Sequence, residues 1–182
     1  MKISIGIDIG SNGAYAIFVD GKLQYGKIPR VSEELNMRSL FDIIFDSIPN
    51  RNSDEDLIDI HCVIEDLHSV FGSSAKSNFG FGFNNGAVVA MLQVAEIPFT
   101  KIGPKKWQKQ MWEGIRPVEI PVPGKKNKDG SPKHKIDAKA TSLIAAKRLF
   151  PKETFLATER SKVPHNGIVD AVLLAEYCKR HF

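Results

Sequence analysis

Three acids in this sequence stand inside apolar runs, away from the charged stretches where acids usually sit. Asp8 interrupts Ile3-Ser4-Ile5-Gly6-Ile7-Asp8-Ile9-Gly10, Glu65 ends Ile60-His61-Cys62-Val63-Ile64-Glu65, and Asp170 is isolated in Gly167-Ile168-Val169-Asp170-Ala171-Val172-Leu173-Leu174-Ala175. A carboxylate carried into an apolar environment without compensation costs several kcal/mol, so each needs a partner. One strand-end acid is as readily a cap or a turn residue. Three on separate elements point to a shared cation. Two magnesium ions about 3.5–4 Å apart, held by a few such carboxylates, activate a water on one side of a phosphodiester and stabilise the leaving oxygen on the other. Without a cation, carboxylates so close would raise one another's pKa.

The elements that must position these acids are readable from pattern. Residues 2 to 9, 13 to 20 and 22 to 28 run or alternate apolar, with Ser11-Asn12-Gly13 and Asp20-Gly21 as hairpin signals, and predict an antiparallel three-strand meander. Glycines 6, 10 and 13 flank Asp8 and allow close approach of a phosphate or a second backbone. Leu35, Leu40, Phe41, Ile44, Phe45 and Ile48 recur near helical spacing, Pro49-Asn50 ends that helix, and residues 50 to 59 read as polar connection. Ile60 to Glu65 reads as a buried strand. The segment from Ser69 to Gly86 is rich in Gly, Ser, Asn and Phe, and a helix is expected only from about Asn84 to Val94. A strand at Ile97 to Ile102 follows, then a helix opened by Pro104 and carrying Trp107 and Met111, with Trp107 read as core. Residues 114 to 135, with four prolines and two lysine clusters, read as a long basic loop, disordered without a partner. Asp137 is the expected N-cap of a helix to Phe150, residues 153 to 157 are short strand or coil, and the last helix runs from about Asn166 to Lys179. This order predicts one α/β domain over residues 1 to 182, with a mixed sheet against helices.

Composition fits a single globular domain: 182 residues, 42% apolar and 25% charged. Two cysteines, Cys62 and Cys178, make neither a disulfide framework nor a paired metal spacing, which points to core thiols in a reducing compartment. No apolar run is long enough for a bilayer, so a cytoplasmic protein without membrane partner is expected. The net charge is only +4, yet between Lys101 and Arg148 there are 13 Lys and Arg against 4 Asp and Glu. That asymmetry favours a polyanion for the C-terminal half. Lys105 and Lys106 suit backbone phosphates. The loop carrying Lys125, Lys126 and Lys135 is read as a nucleic-acid-contacting arm, giving affinity that falls steeply with salt and no base choice.

GIDIGSNGAYAI, CVIEDLHSVFG with FGFNNG, IGPKKWQK, KATSLIAAKRLFP and HNGIVDAVLLAEY follow one another in an order and spacing that resembles the RuvC-like resolvases, RNase H-like endonucleases that cut four-way (Holliday) DNA junctions. The resemblance spans nearly the whole chain and is nearest to compact phage and organellar members. It implies an RNase H-like fold with a five-stranded mixed sheet, three antiparallel strands plus parallel ones, flanked by helices. It implies a homodimer, with the helix after Asn84 as shared surface, that resolves branched DNA by paired symmetric nicks with two Mg2+ per site, Mn2+ substituting, and no organic cofactor. Asp8, Glu65 and Asp170 match the metal ligands, and His165 stands at the fourth catalytic position, as a metal ligand, as a water-positioning group, or only as a helix-start residue with Asn166 as cap. Bacterial members carry two acids three residues apart in this helix, whereas here that position is Gly167, which leaves the fourth ligand open. Lys139 matches a lysine near the cut phosphate and Phe71 an aromatic near the junction centre. Three alternatives stand beside this reading, one of them a non-catalytic junction-binding protein that kept the fold. The first motif is shared with actin- and sugar-kinase-like ATP-binding domains, and a broader nuclease acting on flaps or hybrids would carry the same acids.

Overall fold

The computed structural model describes residues 1–10, 13–32, 34–48, 58–66 and 74–182. Phe71, the turn residues Ser11 and Asn12, and the connection over residues 50 to 57 lie outside the described residues.

The meander forms as expected. Strands β1 (Lys2–Asp8), β2 (Ala14–Val19) and β3 (Lys22–Lys27) pair antiparallel, Ile5 opposite Ile17 and Ala16 opposite Tyr25. Asp20 and Gly21 both take positive φ, +45° and +83°, the two-residue turn whose twist matches the flanking strands. A minor ribbon, β4 (Arg30–Val31) with β5 (Glu34–Leu35), precedes helix α1 (Met37–Asp46), so Leu35 belongs to the ribbon and Asn36 caps the helix by accepting from Ser39 N at 3.1 Å. β6 (Asp59–Glu65) joins β1 in parallel, and β7 (Phe99–Ile102) joins β6, giving the sheet order β3-β2-β1-β6-β7. Helices α3 (Pro104–Met111), α4 (Ala138–Leu149) and α5 (Asn166–His181) complete the chain. Asp137 caps α4 as expected, accepting from Ala140 N at 3.1 Å.

Two expectations are corrected. Helix α2 begins at Ala75 and runs to Val94, not from Asn84. Ser74 caps it, accepting from Ser77 N at 3.1 Å, and nothing stands within 4 Å of a Cβ at Gly80, Gly82 or Gly86. Those glycines cost helix propensity, which the cap and the packing of Val88, Met91 and Leu92 offset. The proline-rich basic stretch is not a structureless loop. It folds as a two-stranded antiparallel ribbon, β8 (Glu119–Lys126) with β9 (Pro132–Ile136), interrupted by a bulge between Pro121 and Lys126. Proline is compatible with strands whose outer edge carries no ladder, and both strands of a lone ribbon have one.

Odd and even residues of β1 divide the core. Ile3, Ile5, Ile7 and Ile9 pack with α1 and α2 on one face, through Leu40, Ile44, Val88 and Leu92. On the other face Ala14, Ala16, Phe18 and Val63 meet Trp107 and Met111 of α3, Ala145 and Ala146 of α4 and the apolar length of α5. Cys62 and Cys178 are buried free thiols.

Candidate active site

β1 and β6 run parallel with Ile7 opposite Ile64, so Asp8 and Glu65 are the next residues along adjacent strands and end them side by side. Both follow residues of the even face, Gly6 and Val63, and thus point towards α5. The path of α5 over that face is fixed at two points. The Cys178 thiol donates to His61 O at 3.3 Å, on β6 beside Ser4 of β1. Gly6 lies directly beneath the helix, where a Cβ would stand 2.3 Å from both Ala171 O and Ala175 N. Asp170, one residue before Ala171, is therefore carried over the end of β1 beside Asp8. Gly6 serves the close backbone approach expected of it.

The three carboxylates share one electrostatic neighbourhood. Burial raises Asp8, opposed by the Gly10 N–H that donates to its Oδ1 at 3.0 Å. Burial also raises Glu65, opposed by the Trp107 indole and reinforced by the Asp8 charge. Asp170 is pushed from the ordinary 3.8 up to about 7, by burial first and then by Asp8 and Glu65, against a hydrogen bond from Ser142 and the positive charge of Lys139. Among the described residues none of the three acids has a Lys or Arg ion pair. Nor do they converge on one point: among the described residues no group of three His, Cys, Asp or Glu side chains is set to hold a metal ion. In its chemistry the donor set fits a hard divalent cation such as Mg2+, all oxygen, anionic and, among the described residues, in no ion pair with Lys or Arg.

A measurable consequence follows for the cation-free protein. The folded state holds a proton on Asp170 that the unfolded chain has released between pH 3.8 and about 7, so stability is lost as pH rises through that window. Asp170→Asn cannot ionise. Its melting temperature is expected to exceed that of the wild type by a margin that opens from pH 5 to pH 8, worth on the order of 1–4 kcal/mol, and that Mg2+ closes. Parallel pH dependences for the two proteins in chelator would contradict it.

His165, and not Asn166, caps α5: its Nδ1 accepts from Ile168 N at 3.3 Å. With that lone pair engaged, the ring proton sits on Nε2, so ligation of a metal through Nε2 would require the cap to be given up. Burial and the charge of Lys27 both lower its pKa and keep the ring neutral. Lys27 is opposite Ala14, which is itself opposite Asp8, so these three residues form one row across the sheet. Sequence reasoning missed Lys27, because only strand register brings it to the site. It also missed Ser142 and Trp112, although a serine in the apolar stretch of α4 was a visible sign. Trp107 is core, as expected, but its Nε1 donates to Glu65 Oε1 at 2.9 Å.

Of the basic residues, Lys139 acts on Asp170, while Lys105 and Lys106 lie exposed on α3. Lys125, Lys126 and Lys135 are exposed on the ribbon, where every residue from 123 to 136 faces solvent. Glu176 of α5 is a buried acid paired with Lys179 and Arg180.

Among solved structures, the chain is similar to T. thermophilus RuvC in complex with Holliday junction substrate, over 96% of its own length and 90% of that chain, with a TM-score of 0.54 and 15% identity. The fold is that of RuvC. Sheet order, strand directions and flanking helices agree with the RNase H-like architecture expected of RuvC-like chains. A second T. thermophilus RuvC structure matches over 95% of this chain and 90% of that one, at 16% identity and a TM-score of 0.48. The sequence matches no protein-family model and no curated protein. Within the described residues of this RuvC fold, no helix is long and apolar enough to cross a membrane.

Proposed function

We propose that the chain is a divalent-metal-dependent endonuclease that resolves four-way DNA junctions by paired symmetric nicks, acting as a homodimer. The observation that supports this reading is that β1, β6 and α5 bring Asp8, Glu65 and Asp170 into one electrostatic neighbourhood at one end of a RuvC-type sheet. These three would hold two Mg2+ ions, with Mn2+ able to replace them. When bound, the ions supply a polarised water and charge compensation at the leaving oxygen.

The chain's own residues do the rest. His165 Nε2–H, held by the cap, donates towards the strand or its water. Lys27 and Lys139 flank the acids and balance phosphate charge. Lys105 and Lys106 on α3, and Lys125, Lys126 and Lys135 on the ribbon, hold the DNA backbone further out. A two-fold dimer offers one site to each of two equivalent strands. Phe79, Phe83 and Val94, exposed along α2, support that helix as the shared surface.

The test is cleavage of a labelled four-way junction beside linear duplex, a flap and an RNA–DNA hybrid. Cutting of the junction alone is expected. Equal cutting of flaps or hybrids would make it a broader branched-DNA nuclease, and ATP binding without cutting would favour the ATP-binding alternative. For the arm, each of Lys125→Ala, Lys126→Ala and Lys135→Ala is expected to reduce the slope of log affinity against log salt by about 0.9. Unchanged slopes would remove the ribbon from the DNA interface.

A further inference from the structure

The chain has two tryptophans, and both indole nitrogens lead to the acid cluster. Trp107, with its ring 1% exposed in the core, donates to Glu65 Oε1 at 2.9 Å. Trp112, the C-cap residue of the same helix α3, donates from Nε1 to Ser142 Oγ at 3.3 Å. Ser142 is itself 1% exposed, and its hydroxyl lies close enough to Asp170 to oppose the rise of that acid's pKa. An indole N–H can only donate. The serine oxygen accepts from it at 3.3 Å, which leaves the hydroxyl hydrogen free to turn to the carboxylate.

We propose that Trp107, and Trp112 acting through Ser142, are positioning residues that fix the Glu65 and Asp170 carboxylates for a divalent cation. The chemistry of the donors is the reason. A lysine or arginine at these places would fix an oxygen equally well but would cancel the charge that attracts the cation. Neutral donors hold one lone pair of each acid and leave the negative charge in place. The support is rigid: α3 starts at Pro104 and is anchored in the core by Trp107 and Met111. The two acids come from a strand end and a distant helix, and α3 with its cap residue Trp112 reaches both, the second through Ser142 of α4.

This inference rests on the metal-site reading above, and Mn2+ binding to the full chain without DNA separates the two. The probe is Mn2+ alone, its free fraction read by electron paramagnetic resonance. Wild type is expected to bind Mn2+. Trp107→Phe and Ser142→Ala, each with a cooperative thermal transition, are expected to need about 10- to 100-fold more Mn2+ for half-saturation. Cleavage by both should return towards wild type at saturating Mn2+, which a general packing defect would not give. Ser142→Ala removes only one oxygen, so the test survives if Trp107→Phe does not fold. Unchanged Mn2+ affinity in folded Ser142→Ala would overturn the positioning role while leaving the metal site standing. No Mn2+ binding by wild type would overturn the metal site and the positioning role with it.

Discussion

Asp8→Asn is expected to reduce junction cleavage by about 10^3-fold or more, with junction binding retained and the cation-free protein made more stable. The side chain keeps its shape, and its amide oxygen can still accept from Gly10 N. What disappears is one negative charge at the centre of the cluster. That charge raises both Glu65 and Asp170, so its removal relaxes the fold. The same charge is what a cation would need, and several kcal/mol of lost transition-state stabilisation corresponds to a thousandfold or more in rate. The combination of higher melting temperature and lost cutting distinguishes this from a folding defect. It is checked by thermal melts in chelator beside cleavage rates in Mg2+. Retained cutting, or a lowered melting temperature, would contradict it.

Gly6→Val is expected to have the largest effect on stability, a loss of about 3 kcal/mol or more. The atoms that a Cβ would meet at 2.3 Å are the backbone oxygen of Ala171 and backbone nitrogen of Ala175, with Leu174 C at 2.8 Å. No side chain can swing away, so α5 itself must lift from β1. In a chain of this size such a loss lowers the melting temperature by roughly 6–12 °C. It also separates Asp170 from Asp8 and Glu65, and a displacement of about 1 Å can cost on the order of 10^2-fold in rate. Denaturant unfolding and cleavage measured below the transition read both effects. Wild-type stability would show that the helix does not cross the strand where Gly6 lies.

The sequence was informative wherever a local rule decided the outcome. The Asp20-Gly21 turn, Asp137 as a cap, Pro104 at a helix start and the acids within apolar runs are local features, and each is found where expected. The start of α2 was hidden because three glycines and alternating phenylalanines mimic loop and strand, while the decision lay with the Ser74 cap and with packing a dozen residues downstream. The β8–β9 ribbon was hidden because prolines read as breakers, although an unpaired strand edge tolerates them. At the site the sequence named the acids but not their support. Lys27 arrives by register across three strands, and Ser142 and Trp112 by the packing of α3 against α4, none of which has a local signature. His165 was found, but its capping bond became visible only with the helix start in place.

The most direct measurement of the central claim is strand-resolved mapping of nicks in a four-way junction, with each of the four strands labelled in turn, in Mg2+ and in chelator. The account expects nicks at symmetry-related positions in two opposing strands, dependent on the metal and absent in Asp8→Asn. Cutting that persists in chelator, or that falls on a single strand without its symmetric partner, would contradict it.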